Sequence, residues 1–203
     1  MPKQPPPTTV PRKLSINIRT TSKMDIAVYA EVVRDSRDKY GIEGGKTTHT
    51  TEGDLTDENG KRTIGLQPAV RFNPKTKVVV EVVGLARLHF TTEIQTFYGP
   101  GVDPSADSMY GRGTTLADEE SGNTSLGFHE FCHRKDFIDY LKKTPLPVFG
   151  GKVGMAVKDF GEAGDAWAVA IAAYLAEMEK HTVRQTDEVG YKKSVYDSNG
   201  PRP

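Results

Sequence analysis

Two histidines, His129 and His133, stand four residues apart in the stretch GFHEFCHRKDF (127–137), with Glu130 directly after the first and Cys132 between them. Positions four apart on an α-helix lie nearly one above the other, so both imidazoles leave the same face and can converge on one metal ion. Neutral imidazole nitrogen suits zinc. Glu130 lies about 100° round the helix from His129. That places it beside the metal, where a base is needed to take a proton from an activated water. One turn thus offers His129 and His133 as zinc ligands and Glu130 as general base. Cys132, the only cysteine, could be a redox-sensitive thiol, but it reads as a small buried packing residue.

The surrounding sequence must supply that helix. NTSLGFHEFCHRKDFIDYLKK has helical periodicity, with Leu126, Glu130, His133, Phe137, Tyr140 and Leu141 on one face. Asn123, Thr124 or Ser125 can cap its start, Lys142 and Lys143 suit its end, and Pro145 and Pro147 cannot continue it. A second helix is expected in DAWAVAIAAYLAEMEKHTVRQ, where Trp167, Ile171, Tyr174 and Met178 form a bulky stripe beside a small one of Ala166, Ala170 and Ala173. Residues 13–97 are rich in alternating and β-branched segments and predict a mainly antiparallel sheet of four to six strands. GIEGGKTTHTTEGD and TDENGK read as breaks within it. Residues 98–124 read as a long loop placed to wall a cleft beside the HEFCH turn. Strands first and helices second make the fold class α+β.

Composition narrows the function. Lys+Arg and Asp+Glu are equal at 27 each, so the formal net charge is zero and nothing marks a nucleic-acid partner. No apolar run reaches the roughly 20 residues of a membrane span. Residues 1–12 form a Pro-rich stretch expected to be a disordered arm, leaving 13–203 as a single domain with its helical part at 125–195. MPKQPPPTTVPRK has no apolar core and is not a secretory signal peptide. The expectation is a protein made in the cytoplasm, with any export by a route that does not read such a peptide. GIEGGKTT has three residues between Gly41 and Gly45 where a phosphate loop needs four, so that reading is rejected. His49 and His89 fall in β-like segments and read as packing or surface residues.

HEFCH resembles the signature of the zincin metallopeptidases, closely over 126–141 and elsewhere in the order sheet, active-site helix, second helix. The resemblance implies peptide-bond hydrolysis with a zinc ion, a protein or peptide substrate, His129 and His133 as ligands and Glu130 as base. A looser likeness is to bacterial putative zinc-dependent protease domains, which carry Thr-x-His near their C-terminal end; QTDEVG would match, with Glu188 where those have histidine. A catalytic zinc usually keeps three protein ligands. The compact continuation HExxHxxGxxH fails, because Asp136 replaces its glycine and Asp139 its histidine. The gluzincin pattern takes a glutamate from a later helix, which makes Glu188 the first choice, with Glu177 and Glu162 as alternatives. Glu177 and Glu188 are eleven residues apart and share a face if the helix persists. Asp165 or Glu162 could instead orient a histidine. Tyr110, His181 and Tyr191 are conceivable oxyanion stabilisers, and HFTTEIQTF is the expected edge strand for an extended peptide. The functional expectation is a zinc metallopeptidase, as a domain of a larger system or a bacterial effector. The other classes are a non-catalytic binding or structural domain holding a metal, and a zinc amidase acting on cell-wall links.

Overall fold

The computed structural model describes residues 12–19, 25–37, 44–56, 62–63, 69–83 and 87–190. The expected N-terminal arm falls outside them except for Arg12, which opens the first strand. Strands β1 (Arg12–Arg19), β2 (Asp25–Val32), β3 (Ser36–Arg37), β4 (Gly45–Thr56), β5 (Arg62–Thr63), β6 (Ala69–Phe72), β7 (Val79–Val83) and β8 (Arg87–Tyr98) precede the helices. Helix α1 (Leu116–Glu120) lies in the long loop, followed by α2 (Leu126–Lys143) and α3 (Val157–Thr182), and a π-helical turn, Val183–Asp187, extends α3. The fold is α+β, as the order of segments predicts.

The main sheet runs β1-β2-β8-β4-β5, with β3 also on β8, while β6 and β7 form a separate hairpin. It is mixed rather than mainly antiparallel: β2 and β3 pair with β8 in parallel, and β4 pairs with it antiparallel. Two readings of the strands change. HFTTEIQTF lies in β8, which is paired on both sides and is therefore no edge strand. In GIEGGKTTHTTEGD, Gly45 to Asp54 are no break, because their β-branched threonines carry them as β4, while 41–43 lie outside the described residues.

That exchange decides where backbone groups are free. Gly99 N–H donates to the Gly44 carbonyl at 2.9 Å across the β4–β8 register. Alternation along an antiparallel strand then turns the N–H and C=O of Gly45, Thr47 and His49 away from β8. Among the described residues, β5 reaches β4 only at Leu55 and Thr56. Among the described residues the first half of β4 is thus an open edge of the sheet.

Helix α2 packs on β4 and β8 and against α3. Ser125 is its N-cap and accepts from Phe128 N–H at 3.1 Å, and Thr144 ends it ahead of Pro145. The predicted bulky stripe of α3 is buried throughout, with Phe137, Tyr140 and Leu141 of α2 and Ile94 of β8 in the same cluster. The crossing segment between the helices is pinned to α3. Trp167 Nε1 donates to the Pro147 carbonyl at 2.8 Å and the Tyr174 hydroxyl to the Thr144 carbonyl at 3.0 Å. Each such bond contributes about 1 kcal/mol net. No helix among the described residues is long and apolar enough to cross a membrane.

Candidate metal centre

His129 and His133 are buried on α2, 1% and 8% exposed, and their Nε2 atoms lie 3.2 Å apart. The third group beside them is Asp187, whose Oδ1 is 3.1 Å from His129 Nε2 and 2.9 Å from His133 Nε2. These three residues form the cluster that could hold a metal ion among the described residues.

Hydrogen bonds on the far side of each ring set its tautomer. His129 Nδ1 is 3.0 Å from the Arg112 carbonyl, which can only accept, so Nδ1 carries the hydrogen. His133 Nδ1 is 2.9 Å from Thr182 Oγ1. The Thr182 hydroxyl donates to the His133 carbonyl at 3.4 Å, which leaves it to accept from Nδ1–H. Both Nε2 lone pairs therefore point into the cluster, the arrangement found round metal-bound imidazoles. With both rings neutral, the buried Asp187 Oδ1 has no donor facing it. Three lone pairs thus converge on one point, the donor set that a cation requires. The edges of 3.2, 3.1 and 2.9 Å are close to the roughly 3.3 Å that separates ligands round a tetrahedral zinc. The residues present fit the ion.

Without a metal, a proton must serve. Burial disfavours the charged form of His129, but hydrogen bonding to Asp187 and the charges of Glu130 and Asp187 raise its pKa above the usual 6.5. Burial likewise pushes Asp187 up, and the two imidazoles outweigh it and hold the carboxyl at about 2. The sign for stability follows. The part contributed by His129 is fully present below its unfolded pKa of about 6.5 and is lost as pH rises through the higher folded value. In metal-free protein, imidazole NMR titration should place His129 above 6.5. In Asp187→Asn the value should fall, because burial then acts with fewer opposing partners; an unchanged value would refute the assignment.

The wide turn after α3 selects Asp187. In a regular α-helix, residues four and five after Thr182 would sit about 40° and about 140° round the axis from it. A π turn of roughly 4.4 residues puts them about 33° to one side and about 50° to the other. Thr182, Thr186 and Asp187 can then all face α2. The Thr186 hydroxyl donates to Asp136 Oδ2 at 2.7 Å, fixing the turn to the residue that stands where the compact motif has glycine.

The predicted third ligands are elsewhere. Glu188, one residue past the turn, is exposed and outside the cluster. Glu177 is exposed on α3 and pairs with Arg184 at 2.5 Å, and Glu162 pairs with Lys158 at 3.5 Å. The expected shared face of Glu177 and Glu188 fails because the helix does not stay α to residue 188. Asp165 is exposed on α3, and the Nδ1 partners of His129 and His133 are the Arg112 carbonyl and the Thr182 hydroxyl rather than Asp165 or Glu162. The signal within reach was Thr182, five residues before Asp187, which the π spacing brings onto the same side.

Glu130 is 2% exposed. The Thr47 hydroxyl donates to its Oε2 at 2.6 Å and is itself 2.7 Å from Thr96 Oγ1, so Thr96 donates to Thr47. Oε1 lies over Gly45, where a Cβ would come within 2.6 Å of it. Glycine at that position leaves room for the carboxylate. A cleft of about 340 Å³ opens here, lined by β4 residues Gly45 to Thr48 and by Tyr110, Glu130, His133, Glu179 and Asp187. Tyr110 also packs edge-on against His129, with centroids 5.0 Å apart. His181 instead packs on Tyr140, and Tyr191 lies outside the described residues. Burial pushes the Cys132 thiol up to about 11, which fits packing rather than reactivity. His49 is on β4 against Phe137, and burial lowers its pKa. Comparison of the chain with protein-family models, with curated proteins and with solved structures gives no match in any of the three.

Proposed function

We propose that the chain is a zinc-dependent peptidase of zincin-like design, with His129, His133 and Asp187 holding the ion and Glu130 as the base. The observation that carries this reading is the convergence of two Nε2 lone pairs and one donor-less carboxylate oxygen. A zinc ion there supplies a Lewis acid that brings the pKa of a water toward about 7 and polarises a carbonyl.

The protein's own part follows from the positions of its groups. Thr47 occupies Oε2 of Glu130 and holds the carboxylate in one orientation. Oε1, above Gly45, takes the proton from the attacking water and delivers it to the leaving nitrogen. The outward N–H and C=O groups of Gly45, Thr47 and His49 can pair with an extended peptide laid along β4. That pairing sets the scissile bond beside Glu130. Tyr110, which lines the cleft where His181 does not, steadies the developing oxyanion.

The test is metal analysis of protein purified without added zinc, followed by digestion of a peptide library and of peptidoglycan fragments. About one zinc per chain is expected, with peptide cleavage lost on chelation and restored by zinc. Bound zinc with cleavage of peptidoglycan alone would move the reading to an amidase. Bound zinc with no hydrolysis would leave a metal-binding domain, and no metal would end both.

A further inference from the structure

Arg112 touches both arms of the metal cluster through its backbone alone. Its carbonyl accepts from His129 Nδ1 at 3.0 Å, and its N–H donates to the Thr186 carbonyl at 2.7 Å, next to Asp187. One residue of the loop thus spans the histidine on α2 and the turn that presents the carboxylate. The approach is close enough that Gly111, with φ at 64°, admits no side chain: a Cβ there would run into the Thr186 carbonyl and lie 3.0 Å from His129 Cε1.

A loop residue used in this way must be held from behind. Asp118, 3% exposed on the short helix α1, does so. It accepts from Arg112 Nε at 2.9 Å and Nη2 at 2.8 Å, a two-pronged pair, and from Gly113 N–H at 2.9 Å. The same carboxylate therefore grips the Arg112 side chain and the next backbone N–H. The Arg112 carbonyl is fixed between these anchors.

We propose that Asp118 and Arg112 are a positioning pair for the metal centre. They fix the tautomer of His129 and the location of Asp187 together, and so set metal affinity although neither side chain reaches the ion. The inference rests on the metal-centre reading above. Outer partners of metal-bound histidines change affinity about 10–100-fold when removed, and a pair acting on two ligands belongs in that range.

Cobalt(II) is the probe, because its visible absorption reports ligand geometry separately from affinity. Titration of wild type, Asp118→Asn and Arg112→Lys should give at least about tenfold weaker binding in both variants. The band shape of the cobalt-loaded, folded protein should also change. Lysine keeps the charge but loses the fork, so it tests the geometry of the pair if Asp118→Asn does not fold. Equal affinity in the folded variants overturns the proposal, and so does weaker binding with an unchanged spectrum, which is what general destabilisation would give. Absence of cobalt and zinc binding in wild type instead defeats the metal-centre reading itself.

Discussion

Asp187→Ala is expected to take zinc from about one per chain to near none, while Glu188→Ala keeps it. The two residues are neighbours of like charge, so general electrostatics predicts similar losses. Geometry does not. Asp187 Oδ1 is within 3.1 Å of both Nε2 atoms, whereas Glu188 is exposed beyond the turn. Removing a direct ligand should exceed the roughly 100-fold upper range for outer partners. Competition with a chelator of known affinity measures it. Equal loss in both variants, or retention in both, would show that the π turn does not select the ligand. The apo form supplies a second sign. With alanine at 187 His129 loses a charge that favours its protonation, so it should titrate lower than in wild type.

Glu130→Gln is expected to lower kcat by about 10²–10⁴, the range for a general acid–base group, with zinc content unchanged. Glutamine keeps the volume and an oxygen for the Thr47 hydroxyl, so the β4 contact at 2.6 Å has a replacement. What it loses is the capacity to take a proton. A variant that binds zinc normally and cleaves at wild-type rate would remove Glu130 from the mechanism. A variant that loses zinc would show that the carboxylate is structural.

The HEFCH helix was legible because periodicity, capping and motif all agree over a short span. Ser125, the paired histidines and Pro145 each act within a turn of the feature they set. The stripe Trp167, Ile171, Tyr174 and Met178 was legible for the same reason, since one α-helical period describes it. Asp187 was not. Its position depends on a change of period after Thr182, and the eleven-residue argument for Glu188 assumed a constant one. The resemblance of QTDEVG to a Thr-x-His segment pointed to the turn that carries Asp187, but to the position one residue past it. The edge strand is hidden in the sequence because glycines flank KTTHTT and mask the β-branched run between them. Pairing partners of β4 and β8 are set by long-range register, which local pattern does not carry. The long loop was rightly placed as a wall. That its backbone would grip a histidine depends on Gly111 and Asp118, whose roles appear only once α2 and the π turn are adjacent.

The single tryptophan has a practical consequence for these experiments. Trp167 is 2% exposed, its ring lies 5.5 Å from Phe149, and its indole N–H is bonded to Pro147. It sits in the helical core and lines no part of the cleft. Its emission should be that of a water-excluded indole and should move to the red only when the α2–α3 layer opens. The protein thus carries a built-in optical reporter of folding, the position of its emission band, which is read at a wavelength apart from the visible bands of a cobalt-loaded site, so loss of fold and loss of ligand geometry can be followed separately in one sample.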